Sequence, residues 1–170
     1  ISYRLVHNFL LMNNNKFILN GILAFSILSL SIAYFVQYIL GHKPCNLCLI
    51  ERIPYLSAVV IISLIFIIKK FEKAFAVTIL LFFIFGSLIS FYHIGIEQGL
   101  FEESIVCKLS NTGTNLSKEQ ILEQLENVPI SCKEVTFRFL GLSLATINTV
   151  ISIIFSGIML KVIKNYGQNK

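Results

Sequence analysis

Apolar residues in this chain fall in four long blocks, which short polar or charged stretches separate. Each block holds about 20 residues, the length that a helix needs to cross the roughly 30 Å hydrocarbon core of a bilayer. The pattern therefore predicts an all-α membrane protein, a bundle of four transmembrane helices. We place the spans at about Phe17–Leu40, Leu49–Ile68, Ala74–Ile94 and Phe139–Leu160.

Composition and charge agree with a membrane protein. Charged residues make up 14% of the 170 residues, whereas soluble globular domains contain about 25%. The formal net charge is +5, and in a soluble protein that balance would suggest nucleic acid as a partner. Here the basic residues cluster at the ends of the spans, so we predict the lipid bilayer as a partner and no nucleic acid.

The same basic residues predict the direction in which the spans run. Eight of the fourteen lie in short segments on one side of the predicted bundle, with Glu72 as the only acid there. An excess of Lys and Arg in short segments marks the cytoplasmic side. Segments 1–16 and 161–170 and the tight turn Lys69–Lys73 between the second and third spans are then cytoplasmic, and the loops at about 41–48 and 97–138 lie outside. The eight residues are Arg4, Lys16, Lys69, Lys70, Lys73, Lys161, Lys164 and Lys170.

The start of the chain carries no chemistry that we can assign. It begins with Ile1, and Met12 followed by three asparagines and Lys16 is typical of a natural start. We therefore expect Ile1–Met12 to be an upstream extension. No small-x-small cleavage site follows the apolar core of the first span, so we expect that span to be retained.

The long loop contains a second, weaker helix pattern. Ser117 and Gln120 fit a capping box, and Pro129 ends the apolar spacing that follows. The pattern predicts a short amphipathic helix, either lying on the membrane surface or packed against the spans. The apolar positions of this helix are Ile121, Leu122, Leu125 and Val128.

Four cysteines lie on the predicted outer side, where disulfides form and persist. Cys45 and Cys48 form a C-x-x-C motif that Pro44 precedes, at a predicted helix N-terminus that favours a thiolate. Cys107 and Cys132 bracket the amphipathic helix. The second pair is also consistent with a structural disulfide, and all four with a zinc site, although we predict no metal because the spacing is unlike that of common zinc modules. Four cysteines allow three disulfide pairings, and the sequence does not choose among them.

Three polar residues are candidates to act beside the cysteines. Arg52 lies four residues after Cys48, on the same face of a helix, where it would stabilise a thiolate or donate to the oxygen of a redox ligand. His93 ends the third span and would contact that ligand or pass a proton. Gln37 lies two turns before the C-x-x-C and faces the bundle or joins helices. An interface anchor is the alternative for Arg52, and a solvated boundary histidine for His93.

Two further residues complete this region of the sequence. Pro54 is too close to the C-x-x-C for the second span to begin after it, so it must lie in an early turn of that helix or at a kink. Glu97 follows the third span, and we expect it to be a solvated loop residue.

The stretch Lys43–Arg52 resembles the core motif of the DsbB family, the membrane disulfide-forming oxidases. Tyr92–Gly99 resembles the end of that family's third span, and Phe139–Leu142 the start of its fourth. Cys107 and Cys132 match its second cysteine pair, and the resemblance extends from about Lys16 onward. Vitamin K epoxide reductase-type proteins also have four helices and two cysteine pairs, but their C-x-x-C comes late in the chain.

The resemblance implies a relay of thiol–disulfide exchange in a bacterial inner membrane, with the cysteines in the periplasm. A reduced thioredoxin-fold protein of the DsbA type would attack Cys107, and Cys132 would then exchange with Cys45. Cys48 would pass the electrons to a quinone, ubiquinone or menaquinone, whose oxygen Arg52 would hold. Such a relay keeps the bacterial periplasm oxidising.

Two other classes of function fit the same residues. The first is a membrane protein that binds a metal or a cofactor through its thiols. The second is a structural membrane protein with static disulfides. Zinc content and thiol count separate the first class from an oxidase, and the effect of removing Arg52 on partner oxidation separates the second.

Overall fold

The computed structural model of the chain is a bundle of long helices. It describes residues 2–68, 71–103, 107, 131–133, 138–139 and 141–168. The helices are α1 (Ser2–Tyr38), α2 (Asn46–Ile50), α3 (Ile53–Ile68), α4 (Glu72–Glu97) and α5 (Leu144–Gln168). Two short strands, β1 (Arg138–Phe139) and β2 (Leu142–Ser143), pair antiparallel just before α5.

Four segments of these helices are long and apolar enough to cross a membrane, which confirms the predicted four-span α-helical fold. They are Asn15–Tyr38, Asn46–Ile68, Glu72–Glu97 and Leu144–Gly167. At 1.5 Å per residue, even the shortest spans about 35 Å. Large apolar side chains such as Phe35, Leu81 and Ile153 are more than half exposed on the outside of the bundle. Apolar surface of this extent suits hydrocarbon rather than water.

The four spans form a closed ring. α1 packs against α3, α3 against α4, and α4 against α5 over the longest interface, while α1 also touches α5. The centre of the ring is a single apolar cluster with members from every span. Its buried residues are Leu19, Ile22, Tyr55, Ala58, Ile62, Ile65, Ala76, Ile79, Leu80, Phe83, Met159 and Val162.

The second span is interrupted near one end. α2 stops at Ile50, residues 51–52 form a turn, and α3 resumes at Ile53. Backbone bonds continue across the turn, from the Arg52 N–H to the Leu49 carbonyl and from the Leu56 N–H to the Arg52 carbonyl. Pro54 therefore lies in the first turn of α3, where its missing N–H and fixed φ are tolerated. Of the two positions that we expected for Pro54, the structure has the early turn.

α4 is longer at both ends than the third span that we predicted. Lys73, which we assigned to a turn, lies in the first turn of α4. At the other end the helix continues to Glu97, and Gly99 adopts a φ of 74°. The N–H of Leu100 bonds to the Gly95 carbonyl at 2.8 Å and that of Gly99 to the Ile96 carbonyl at 3.0 Å. This paired pattern is a Schellman motif, which requires a left-handed residue after the helix.

The fourth span begins later than we predicted. Phe139 lies in β1, and a turn with Gly141 at a φ of 82° leads into β2. The helix then begins at Leu144, because the Ser143 hydroxyl caps it by accepting a 3.2 Å hydrogen bond from the Thr146 N–H. The apolar residues of the hairpin extended the hydrophobic block and moved our predicted boundary toward the N-terminus.

One predicted element lies outside the described residues. The amphipathic helix that we predicted to begin at Ser117 belongs to the long loop, of which the structure describes only the two ends, Cys107 and residues 131–133. Its existence stays a prediction, as does the turn that holds Lys69 and Lys70.

Candidate functional site

The C-x-x-C motif lies at the N-terminus of α2, as the sequence predicts. Cys45 is the N-cap of the helix, with extended backbone angles of φ −73° and ψ 166°, and its sulfur accepts a 3.2 Å hydrogen bond from the Cys48 N–H. The two cysteines are joined as a disulfide, with their Cα atoms 5.2 Å apart. Cys45 is buried and Cys48 is partly exposed. The Cys48 N–H also favours negative charge on the Cys45 sulfur when the disulfide is open.

The second cysteine pair lies at the same end of the bundle. Cys107 and Cys132 are also joined as a disulfide, with their Cα atoms 6.0 Å apart. The Glu103 carboxylate accepts hydrogen bonds from the Ser131 hydroxyl and the Lys133 N–H, and thereby fixes the turn that carries Cys132. Of the three pairings that four cysteines allow, the structure contains the one with each pair closed on itself.

Both disulfides belong to one apolar cluster. Cys45, Cys107 and Cys132 are all less than 8% exposed, and Leu47 and Ile96 are buried among them. Cys48 and Tyr92 pack against the edge of this cluster. Three of the four sulfurs are therefore shielded from bulk water, and both disulfides belong to the same packed cluster.

His93 connects the two disulfides. It lies one turn before the end of α4, and its Nε2 atom is 3.6 Å from the Cys45 sulfur. The backbone of Cys132, in the second disulfide, lies beside the same ring. The sequence predicts His93 as a site residue, and the structure places it against the cysteines.

Glu51 is a site residue that our sequence analysis missed. Its carboxylate lies 2.7 Å from Nδ1 of His93, and the two side chains are only 8% and 4% exposed. The available signal was a carboxylate inside an apolar block, next to an arginine that we did consider. A charge in that position requires a partner, because an unpaired buried carboxylate is costly.

Our expectation that Glu97 is a solvated loop residue is wrong. Glu97 is the last residue of α4, its side chain is 11% exposed, and its carboxylate lies 3.8 Å from Nε2 of His93. It follows His93 by four residues and therefore shares its helical face. The helix extends far enough to present Glu97 to the site because Gly99 ends it only after the following turn.

Arg52 and Gln37, two predicted site residues, are in direct contact. Nη1 of Arg52 donates a 2.7 Å hydrogen bond to Oε1 of Gln37, which joins the start of α3 to the end of α1. The Arg52 guanidinium also lies 5.1 Å from the centre of the Tyr34 ring, a cation–π distance. Tyr34 is 48% exposed on the outer surface of the bundle. Arg52 therefore lies at a face that lipid can reach, while Glu51 next to it faces inward.

A buried polar network lies one turn deeper. The Tyr55 hydroxyl donates a 2.5 Å hydrogen bond to the side-chain carbonyl of Asn148, whose amide donates to the Ser90 hydroxyl, also at 2.5 Å. These contacts join α3, α5 and α4. Polar bonds between membrane helices stabilise their association, so this network fixes the distance between the helices that carry Glu51 and His93.

Comparisons with known proteins agree with the cysteine pattern. The model of a protein family described as disulfide bond formation protein DsbB matches residues 15–162. The chain is also 32% identical over 144 residues to the uncharacterized protein RP370 of Rickettsia prowazekii (strain Madrid E). That match covers 82% of this chain and 84% of the relative. The residues that the family model matches include both cysteine pairs, the first three spans and most of the fourth.

Proposed function

Because this chain belongs to the DsbB family, and is therefore a membrane thiol oxidoreductase of disulfide bond formation, we propose that it reoxidises a periplasmic thioredoxin-fold protein. The partner would be of the DsbA type, and the electrons would pass to a membrane quinone. The observation that carries this proposal is the buried cluster that holds both disulfides at one end of the bundle. A static scaffold requires no second disulfide beside a C-x-x-C at a helix N-terminus.

The chemistry is a series of thiol–disulfide exchanges in which each attacking thiolate forms one S–S bond and releases another thiolate. A thiolate of the reduced partner attacks Cys107 and releases Cys132. Cys132 then attacks Cys45 and releases the Cys48 thiolate. The second partner thiol displaces Cys107, and the oxidised partner leaves. Cys107 restores its bond to Cys132, and the two electrons remain on the dithiol of Cys45 and Cys48.

The surface around Arg52 supports a quinone as the electron acceptor. A bound quinone accepts two electrons and two protons, which is the amount that the Cys45–Cys48 dithiol must lose to close again. Arg52 would donate to a quinone carbonyl, because a guanidinium has several N–H donors and Gln37 orients it. The half-exposed Tyr34 ring offers an aromatic surface beside it. Quinones dissolve in lipid, so a site that opens to the bilayer suits them.

The charge distribution supports the proposed orientation. Lys16, Lys73, Lys161 and Lys164 lie at the ends of spans opposite to the cysteine cluster. The side rich in Lys and Arg is cytoplasmic by the positive-inside rule. The cysteines would then face the periplasm, where a disulfide persists and a soluble dithiol partner is available.

A reconstituted turnover assay tests the proposal. Purified protein in lipid is mixed with a reduced DsbA-type protein and a soluble quinone analogue, and quinone absorbance is followed. We expect quinone loss that requires the partner, disappears in Cys48→Ala and weakens strongly in Arg52→Ala. Lys133→Ala, a change of an exposed cation near the second disulfide, serves as the matched control. If the reduced partner is shown to be reactive and the protein is folded in lipid, absence of quinone loss would refute the oxidase proposal.

A thiol-based metal site is the alternative to an oxidase. The sulfurs of Cys45 and Cys48 and a ring nitrogen of His93 lie within 4.8 Å of one another. The two sulfurs are bonded to each other, however, and a disulfide offers no thiolate to a metal. We therefore do not assign these residues as metal ligands. Zinc content and thiol count, measured on protein purified with and without reductant, test this choice.

A further inference from the structure

Three side chains from three segments form a continuous line at the cysteine end. The Glu51 carboxylate lies 2.7 Å from Nδ1 of His93, and Nε2 of the same ring lies 3.6 Å from the Cys45 sulfur. Glu51 belongs to the turn between α2 and α3, His93 to α4, and Cys45 is the N-cap of α2. The imidazole therefore bridges a carboxylate and a redox sulfur.

The carboxylate determines which nitrogen of the ring carries the proton. An ionised carboxylate only accepts hydrogen bonds, so Nδ1 of His93 must donate to Glu51. In the neutral ring, Nε2 then presents its lone pair toward Cys45. That tautomer is the one that accepts a proton from a thiol at Cys45, and the protonated ring is the form that returns it.

Burial favours proton exchange between Cys45 and His93 over exchange with bulk water. The side chains of Glu51 and His93 are nearly inaccessible, and Cys45 is 5% exposed. A proton that leaves the Cys45 thiol therefore meets the ring before it meets bulk water. Within the described part of the chain, the titratable groups that face the ring are Glu51 from the α2–α3 turn, Glu97 from α4, and Cys45 itself.

We propose that His93 is the acid–base group for Cys45 and that Glu51 is the residue that positions it. This inference rests on the proposed function, because it concerns the step that releases Cys45. In that step the Cys107 thiolate attacks Cys132, the Cys107–Cys132 bond forms, and the Cys132–Cys45 bond breaks. Cys45 leaves as a thiolate, and protonated His93 gives its Nε2 proton to it. When the Cys45–Cys48 disulfide closes again, the same proton returns to Nε2. The quinone then takes two electrons from the cysteine pair and two protons from water, which replace the two that the partner's thiols released.

The position of His93 suits this exchange. Its ring lies 3.6 Å from the Cys45 sulfur and beside the backbone of Cys132. The relay joins these two cysteines in a transient disulfide. Arg52 points to the other side of α3, toward Gln37 and Tyr34. The two polar groups therefore have separate tasks, with His93 serving Cys45 and Arg52 serving the quinone.

The alkylation rate of Cys45 tests the inference without partner or quinone. The background is the full chain with Cys48→Ala, Cys107→Ala and Cys132→Ala, in which Cys45 is the only thiol. The rate of iodoacetamide reaction is measured from pH 5 to pH 10. Since His93 accepts the thiol proton, we expect a thiolate that persists to low pH. The added changes are His93→Gln, Glu51→Gln and Glu51→Asp, with Glu102→Gln as the control, an exposed carboxylate at the same end.

We expect His93→Gln to lower the alkylation rate at pH 6.5 about a hundredfold, the lower range for loss of a positioned acid–base group. Glu51→Gln should lower it about tenfold, the effect of losing one hydrogen bond to a charged group. Both variants should move the midpoint of the rate profile to higher pH. Glu51→Asp should recover most of the rate because it restores the charge, and Glu102→Gln should leave the profile unchanged.

A purely structural role for Glu51 predicts a different result. Glutamine keeps the size and hydrogen-bonding capacity of Glu51, so its profile would then match that of the background. An unchanged profile in His93→Gln and Glu51→Gln, in protein with an unaltered circular dichroism spectrum, would overturn the inference. Because this readout needs no quinone, it separates failure of the acid–base pair from failure of the proposed oxidase.

Discussion

Gly86 is a position where two spans of the bundle leave no room for a methyl group. It is buried in α4, and a methyl group built on it would lie 2.7 Å from Cγ of Pro54 and 3.5 Å from the Ser152 hydroxyl. Pro54 is itself almost fully buried in the first turn of α3. We predict that Gly86→Ala destabilises the protein, because a rigid proline ring and the helix behind it cannot move away at low cost.

The structure provides the magnitude. An ordinary contact begins at 3.4 Å, so α3 and α4 must separate by about 0.7 Å at this point, the difference between 3.4 Å and 2.7 Å. Overpacking of a buried position typically costs about 1–3 kcal/mol. Replacing a helical glycine by alanine also contributes about 1 kcal/mol of helix propensity. The net loss for Gly86→Ala is therefore smaller than the overpacking cost by that amount.

A matched variant removes the propensity contribution. Gly157 lies in α5, and a methyl group on it meets nothing within 4 Å. Gly157→Ala therefore gains the propensity without the clash. The free energies of unfolding of the two variants, measured by titration with sodium dodecyl sulfate in mixed micelles, should differ by about 1–3 kcal/mol. Equal free energies of unfolding for Gly86→Ala and Gly157→Ala would refute the reasoning. They would mean that Pro54 moves away from the new methyl group at no measurable cost.

The same change has a functional consequence. Pro54 follows the turn that carries Glu51, and Gly86 lies on the helix that carries His93. Separation of α3 from α4 should therefore lengthen the 2.7 Å contact between Glu51 and His93. We expect Gly86→Ala to lower the alkylation rate of Cys45 in the direction of Glu51→Gln. Gly157→Ala should have no such effect.

Two further predictions concern the polar contacts between helices. Asn148→Ala should destabilise the protein by about 1–3 kcal/mol in the same titration, because it leaves the Tyr55 and Ser90 hydroxyls buried without this partner; an unchanged stability would mean that these groups find other partners. Gln37→Ala should raise the KM for a quinone analogue about tenfold, since Arg52 loses the hydrogen bond that orients it. The same change should have no further effect on KM in an Arg52→Ala background. Additive effects of the two changes would show that Gln37 does not act through Arg52.

Much of the fold could be predicted from the sequence because a bilayer constrains it strongly. A span must be apolar over about 20 residues, so the four blocks gave the number of helices and their order. Alternating spans then brought Gln37, at the end of the first, to the same end as Arg52, at the start of the second. In the structure these two side chains are in contact. The functional roles assigned to them stay predictions.

Helix ends were harder to predict because caps, not hydrophobicity, decide them. The apolar block begins at Phe139, but Ser143 caps α5 and the helix begins at Leu144, five residues later. Gly99 ends α4 late enough to keep Glu97 in the helix. Ser143 and Gly99 are both visible in the sequence. Their effect depends on backbone angles, however, and the mean hydropathy of a block carries no information about those angles. The error at Glu97 therefore follows from the helix end, not from the chemistry of the residue.

Glu51 was missed for a different reason, and the reason explains the architecture of the site. A glutamate and an arginine side by side in an apolar block suggest a pair that neutralises itself. Successive side chains near a helix start point about 100° apart, however, so neighbours in sequence face different helices. Glu51 faces α4 and meets His93, whereas Arg52 faces α1 and meets Gln37. Each charge needs its own partner in a medium of low dielectric. One dipeptide therefore serves two adjacent sites, an inward one beside the Cys45 sulfur and an outward one that opens to lipid.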